Sequence, residues 1–477
     1  MINSFWRLVL RFRSDRRGNI ALLFGLLAVP LTICLGCAAD YTRAASIRES
    51  LLAAADAASV AAVSAQSPGF LAAQSMTADG SVPAAITDAT NFFNGRISTV
   101  GGYSSVTLTV KVNKVGAILT SSVNFSAVVP TTFMAIAGWR NLTVTNASSS
   151  AASLPTYLDF YLMLDVSGSM GLPSNDSEQA RLAAINPDNY SSYPKGCTFA
   201  CHFSASNACP DSGQKYSTGG KCMGYSLSRT AGNVANTPVT GCSVPGSSAC
   251  IQLRADAVGN AVQQLLVTAN AKGKVSNQFR VGLYPFIQKL YTYAALTSSL
   301  AGSTSTPGTI NYAAANLATL LDTGVNTSLG SGGTHFENAF PSMNSVITSV
   351  GTGTTFNDTL PFVFLITDGA QNNQTQSGGT WSGNNNATVI DSTLCTKMKS
   401  RGIVISILYV PYQTIQNPTS FGNNEDYAVN AIIPNIPAAL TSCASPKFFF
   451  TANTPDDITT ALNAMFNQAL VTAHVTN

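Results

Sequence analysis

At 477 residues the chain exceeds the length at which a single hydrophobic core usually stops growing, so two or more domains are expected. It is 45% hydrophobic, only 10% charged, and carries a net charge of +3, a balance that excludes a disordered chain. It also lacks a basic stripe that would neutralise phosphates, which excludes nucleic acid as a partner.

Much of the basic excess lies at the start, in Arg7, Arg11, Arg13, Arg16 and Arg17 against the single acid Asp15. Residues 1–17 therefore read as a basic cytoplasmic tail. Residues 18–39, GNIALLFGLLAVPLTICLGCAA, carry no charge, and about 20 apolar residues span a bilayer as a helix. The arginines hold the N-terminal end in the cytoplasm and send everything after Asp40 outward, in a single pass. Pro30 is tolerable in a membrane helix. A cleaved signal peptide is the rival reading, but its apolar core runs to about 7–15 residues. A lipoprotein site at Cys37 is a further rival, weakened by Cys34 where Leu is usual.

Residues 40–150 form the next region. Tyr41 to Ala65 is Ala-rich, without Pro or Gly, so the membrane helix is expected to continue outward as a stalk. From about Ser98 to Ser150, VTLTVKVNKV, VNFSAVV and NLTVTNAS alternate Val or Thr at period two, the mark of half-buried strands. A long N-terminal helix followed by a small sheet is a pilin-like α+β layout.

From Thr156 the pattern changes to strands alternating with helices. YLDFYLMLDV is a continuous apolar run, as in a strand buried on both faces. LRADAVGNAVQQLLVTANA at Leu253 to Ala271 has helical spacing, with Ala255, Val258, Val262 and Leu265 or Leu266 on one side. Strands follow at FRVGLYPF, PFVFLITDG and GIVISILYV, with a helix over Ile390 to Ser400 and another from Pro455 to Leu470. This alternation predicts an α/β fold with a mainly parallel sheet over 156–470.

A Cys-rich stretch at about 171–250 interrupts the alternation and reads as an insertion. Its cysteines, Cys197, Cys201, Cys209, Cys222, Cys242 and Cys250, suit a disulfide framework in an oxidising compartment, with fifteen possible pairings. A zinc site of Cys197, Cys201, His202 and Cys209 is the alternative, against which the paired C-x2-C knuckles are missing. Cys395 and Cys443 flank the GIVISILYV strand and its loop, near the edges of elements, and are expected to pair.

Three short motifs stand at ends of these strands. D-V-S-G-S places Asp165, Ser167 and Ser169 directly after a buried strand, where ligands of open α/β sheets bind. S-G-G-T-H-F-E places Thr334 in a Gly-rich loop before a helix, and L-I-T-D-G places Asp368 at the end of another buried strand. Carboxylate and hydroxyl oxygens of this kind suit Mg²⁺. With these residues the chain resembles the von Willebrand factor A domains, which are Rossmann-like and doubly wound. Their metal-ion-dependent adhesion site is D-x-S-x-S plus a distant Thr and a distant Asp. The resemblance implies Ser167, Ser169 and Thr334 as direct ligands of Mg²⁺ (or Mn²⁺ or Ca²⁺). It implies Asp165 and Asp368 acting through water, and an acidic side chain of a protein partner completing the coordination. The Cys-rich insertion departs from the family pattern. A fold relic holding no metal, its polar residues merely capping turns, is the competing reading.

R-R-G-N-I-A-L-L-F-G-L followed by an apolar run and A-D-Y-x-R-A resembles the TadG-like group of bacterial Tad/Flp pilus assembly proteins. That resemblance implies a single-pass inner-membrane protein with the bulk of the chain periplasmic or at the cell surface, and other pilus assembly proteins as partners. The Glu usual after the cleaved Gly of prepilin-type substrates is missing, since Asn19, Ile20, Ala21, Leu22 and Leu23 follow Gly18.

Enzymatic readings find little support. The histidines are His202, His335 and His474, and neither a Walker A loop nor G-x-S-x-G is present. The expectation is a non-enzymatic component of pilus assembly or adhesion machinery. The alternatives are a structural envelope protein with a vestigial metal site and a metal-dependent hydrolase using Asp165 and Asp368.

Overall fold

The computed structural model describes residues 18–76, 78–178, 217–218, 221–222, 252–322, 328–330, 332–372, 375–377, 380–382, 387–412, 414 and 421–475. The chain divides into two compact units, Met1–Leu154 and Pro155–Asn477.

In the first unit, helix α1 (Gly18–Ala62) changes character along its length. Leu23, Phe24, Leu26, Leu27, Val29, Leu31 and Leu35 are exposed, whereas Ala44, Ile47, Leu51, Ala54, Ala55, Ala58 and Ala62 are buried. The second set recurs every three or four residues, the spacing of one helix face. That face packs against α3 (Pro83–Ile97) and against the sheet strands β3 (Ile118–Pro130) and β4 (Asn141–Ser153). Strand β2 (Ser105–Val115) pairs antiparallel with β3 and with the short β1 (Gly80–Ser81). A further helix, α2 (Pro68–Ser75), starts on a Ser67 cap with Pro at its first position. Helices α2 and α3 fill residues 67–97, where no element was predicted. Both are short and Ala-rich with weak periodicity, and their burial is supplied by contact with each other and with α1.

Asp40 follows the charge-free run of α1. Its carboxylate accepts hydrogen bonds from the backbone N–H groups of Met134 (2.8 Å), Phe133 (2.7 Å) and Thr132 (3.1 Å) in the β3–β4 turn. The Met134 bond is the largest of the influences that hold this carboxyl below its ordinary range.

The second unit is doubly wound. Its six-stranded sheet runs in the order β10 (Phe449–Thr451), β9 (Val404–Tyr409), β8 (Leu360–Thr367), β5 (Leu158–Asp165), β6 (Phe279–Phe286), β7 (Ala294–Thr297). All pairings are parallel except the edge pair β6–β7. The α/β fold with a mainly parallel, Rossmann-like sheet is therefore present.

Strand β5 lies at its centre and is buried throughout. Leu158, Phe160, Leu162 and Leu164 face one core with α4 (Arg254–Lys272), α5 (Ile310–Ala315) and α10 (Pro455–Val475). Tyr161 and Met163 face a second core with α6 (Phe336–Val346), α7 (Ser392–Lys399) and α9 (Ile436–Cys443). Burial on both faces explains the continuous apolar run. Phe160 anchors the first core, its ring centroid 5.1 Å from Phe466, 5.2 Å from Phe364 and 5.7 Å from Phe362. At the opening end of the strands, Arg280 donates two bonds to Asp159 (2.7 and 2.6 Å), and Thr359 donates a third (2.6 Å).

The described residues on either side of 179–251 meet each other. Pro173 bridges Leu253, and the Ser174 N–H donates to the Gln252 carbonyl at 2.9 Å. Apart from the backbone of Cys222, the six cysteines between, with the disulfide and zinc readings for them, lie outside the described residues. Helices α8 (Phe421–Ile432) and α9, after β9, were not predicted; NNEDYAVNAIIPNIPAAL is broken by two prolines and lacks a sustained helical stripe.

Cys395 and Cys443 are disulfide-bonded with Cα atoms 5.3 Å apart, joining α7 to α9. The pairing is the one expected, but the reason differs. Both cysteines are fully buried in the second core; Cys443 ends its helix as expected, but Cys395 lies inside α7. Closing 48 residues contributes about 4 kcal/mol by loop entropy. Replacing both by Ala in the full-length chain is expected to lower its denaturant midpoint accordingly, and an unchanged midpoint would contradict that role.

Candidate functional site

The order of the sheet reverses between β5 and β8, whose connections run to opposite sides. Such a switch point opens a crevice at the carboxyl ends of the two strands. Asp165 is the last residue of β5, and Asp368 directly follows β8.

The first loop is shaped by Asp165 itself. Its Oδ1 accepts from the Ser167 N–H at 2.9 Å, a turn that folds the chain back over the strand end. A 3-10 segment, Gly168–Gly171, follows and buries Met170. The hydroxyls of Ser167 and Ser169 consequently stand 3.3 Å apart. Asp165 Oδ2 accepts from the Thr367 hydroxyl at 2.6 Å, and that hydroxyl accepts from the Gly369 N–H at 2.9 Å.

Asp368 is fully buried. Its Oδ1 accepts a long bond from the Ala370 N–H (3.4 Å), and the Ser169 hydroxyl favours the charged form of the carboxylate. Its Oδ2 has no hydrogen-bond partner. Arg254 Nη1 stands 3.6 Å from that oxygen, close enough for charge attraction but beyond hydrogen-bond length. The guanidinium is buried too, donating through Nη2 to the Pro411 carbonyl at 3.0 Å and lying over the Tyr412 ring at 5.9 Å.

Burial is the largest influence on both acids. With Asp368 beside it, Asp165 is pushed up to about 7 against the hydrogen bonds from Ser167 and Thr367. Asp368 is raised as well, in spite of the opposing charge of Arg254. Two carboxylates are thus buried together with a guanidinium against Asp368 alone, and each is costly to ionise until further positive charge arrives.

Thr334 is buried in the third loop. The Gly332 N–H donates to Asp322 Oδ2 at 2.9 Å, and the Asp322 N–H donates to the Val166 carbonyl at 2.9 Å, which ties this loop to the first. On its other side, Gly333 has φ +146 and passes so close to Asn372 that a Cβ would collide with that side chain. His335 Nδ1 lies 2.6 Å from Glu337 Oε1, and Gln371 donates to Glu337 Oε2 at 3.0 Å. Partial burial is the largest single influence and would raise the Glu337 carboxyl, but the bond to His335, the backbone N–H of Glu337 and the charge of His335 together hold it low. His335 is thereby engaged within its own loop.

Hydrogen bonds and charge contacts thus bring Asp165, Ser167, Ser169 and Asp368 together. Thr334 is held between the same two loops by its neighbours, and among the described residues no hydrogen bond of its own hydroxyl joins it to the other four. Sequence reasoning missed Thr367 and Arg254. Thr367 was adjacent to Asp368 in L-I-T-D-G and was open to notice. Arg254 was hidden by the intervening Cys-rich stretch and by its place at the start of a predicted helix.

The donor set is all oxygen: two carboxylates and three hydroxyls, which is what hard divalent cations take. Asp368 Oδ2, which accepts no hydrogen bond, fits such an ion, whose charge would offset the buried pair. Among the described residues no three His, Cys, Asp or Glu side chains cluster as a metal site of another kind.

The family described as "Putative Flp pilus-assembly TadE/G-like" matches residues 18–66. No curated protein matches the chain. Among solved structures, the chain is similar to the pilus adhesin SpaC from Lactobacillus rhamnosus GG, at 13% identity and a TM-score of 0.32. That match covers 76% of this chain and 34% of SpaC, so the chain spans about a third of that relative. The PilB minor pilin from Streptococcus sanguinis is similar at 11% identity and a TM-score of 0.33, over 77% of this chain and 78% of PilB. The vWF domain of the type V pili tip protein Mfa5 from Porphyromonas gingivalis is similar at 10% identity and a TM-score of 0.32, over 67% and 97% of the two chains. The TadE/G-like match, together with α1, the one described helix long and apolar enough to cross a membrane, supports a pilus-associated, membrane-anchored protein.

Thr367→Val is expected to destabilise the chain by about 1–3 kcal/mol, since it leaves Asp165 Oδ2 buried without its donor. Thr441→Val, which removes an exposed hydroxyl bonded to Pro437, should stay within about 0.5 kcal/mol of wild type. Equal denaturation midpoints for the two variants would remove Thr367 from the support of the site.

Proposed function

We propose that the chain is a membrane-anchored, non-enzymatic component of Tad/Flp-type pilus assembly or adhesion machinery. It holds Mg²⁺, or Mn²⁺ or Ca²⁺, at Asp165, Ser167, Ser169, Thr334 and Asp368. The observation that carries the reading is the buried carboxylate pair at the switch point, with no hydrogen bond to Asp368 Oδ2. A bound cation would supply an open coordination position for an acidic side chain of a protein partner, such as another pilus assembly protein.

The topology belongs to the same reading. Residues 18–39 cross the bacterial inner membrane once, the arginine-rich tail stays cytoplasmic, and the remainder is periplasmic or at the cell surface. The Cys395–Cys443 bond favours an oxidising compartment for the second unit.

One observation favours the alternative, a structural envelope protein with a vestigial site. Arg254 already places a cation beside Asp368 and lessens the need for a metal. Magnesium titration separates the two. At Mg²⁺ about 100-fold above Kd, binding should stabilise the full-length chain by about 2.7 kcal/mol, read as a higher unfolding midpoint. Asp165→Ala should abolish that shift, and EDTA should abolish capture of crosslinked partners. A wild-type chain whose midpoint and capture ignore both Mg²⁺ and EDTA would establish the vestigial site.

Arg254→Met leaves Asp368 buried without a counter-charge and should cost the metal-free chain about 3 kcal/mol. The same change removes repulsion toward a dication, so the Mg²⁺-induced shift should grow. A shift smaller than in wild type would show that Arg254 supports the cation site and does not compete with it.

A further inference from the structure

We propose that the β3–β4 turn, Thr131–Arg140, is a second membrane contact, its Phe133, Ile136 and Trp139 side chains entering the interfacial layer of the bilayer that residues 18–39 cross. The proposal rests on the reading of that helix as a membrane span.

The turn is fixed in place at the end of the charge-free run. Asp40 binds the N–H groups of Thr132, Phe133 and Met134. The Phe133 ring lies against Gly36, so closely that a Cβ there would fall within it. Gly36 stands one helical turn before Asp40, about 6 Å further along the axis toward the apolar segment. Residues 18–39 span about 33 Å as a helix, close to the hydrocarbon thickness, so this level is the edge of the apolar layer.

The surface presented at that level is apolar. Ile136 is 73% exposed, Trp139 67% and Phe133 40%, beside Leu35 of α1 at 69%. Phe133 and Ile136 flank and occupy the 3-10 segment Met134–Ala137, where side chains three apart eclipse, while Met134 turns inward and is buried. Thr131 to Trp139 contains no charged residue, and exposed Arg140 follows, as in segments whose cation stays among headgroups. A single exposed apolar side chain is ordinary, but three on one ten-residue turn beside an anchor need a partner.

Most backbone N–H groups of the turn are satisfied internally, as a low-dielectric surrounding favours. Besides the three N–H groups held by Asp40, Thr131 donates to Arg140, Ile136 to Phe133, Gly138 to Ala135 and Trp139 to Met134. Irregular backbone enters a membrane only when such groups are satisfied internally. Tryptophan is also the side chain most suited to that interface.

The test uses the full-length chain in phosphatidylcholine vesicles with brominated acyl chains, which quench nearby tryptophan. The chain has three tryptophans, so W6F/W381F leaves Trp139 alone. A companion, W6F/W139F/W381F with L27W, reports the middle of the span. Bromines near the carbonyl end should quench Trp139 at least about twofold, and bromines near the chain terminus should quench it less. Leu27→Trp should show the reverse order. Ile136→Asp in the Trp139 variant should weaken its quenching. Quenching at position 27 with none at Trp139 overturns the proposal and leaves the anchor standing, as for a turn covered by another protein. Quenching at neither position overturns the anchor and the proposal together.

Discussion

Two carboxylates buried side by side at the switch point of a parallel sheet are the constraint on which the second unit depends. Asp165 and Asp368 meet there because β5 and β8 are neighbours in the sheet and both end at that edge. Burying two like charges costs several kcal/mol each unless the surroundings supply donors or counter-charge. The local structure consists largely of such donors. The Ser167 N–H and the Thr367 hydroxyl serve Asp165, while Ser169, the Ala370 N–H and Arg254 attend to Asp368.

Arg254 links this site to the pairing of Pro173 with Leu253. It is the first residue of α4, directly after the bridge between Pro173 and Leu253. Because the segments at Pro173 and Leu253 are bonded to each other, the start of α4 and its guanidinium are fixed beside the loop that carries Ser167 and Ser169.

The first unit solves a similar problem with backbone groups. Asp40 directly follows the charge-free run, and three N–H groups of a distant turn satisfy it. A carboxylate so held fixes the turn against the helix, which settles where Phe133, Ile136 and Trp139 are displayed. In both units a single acid next to an apolar segment determines the position of a loop.

The sequence by itself determined the anchor, the period-two strands, the doubly wound alternation and the D-x-S-x-S, Thr and Asp motifs. Each is written in a local pattern: an uncharged run, an alternation, a strand followed at once by Asp. Cys395 and Cys443 were legible as a pair, but their burial between α7 and α9 was not. Tertiary structure alone decided that, along with helices α2, α3, α8 and α9, whose faces are defined by what packs on them. It alone placed Arg254 beside Asp368, Thr367 beneath Asp165, and an apolar turn next to Gly36. These are contacts between residues far apart in the chain, and no periodicity records them. Their geometry is set by strand order and by the charges that burial obliges the fold to offset.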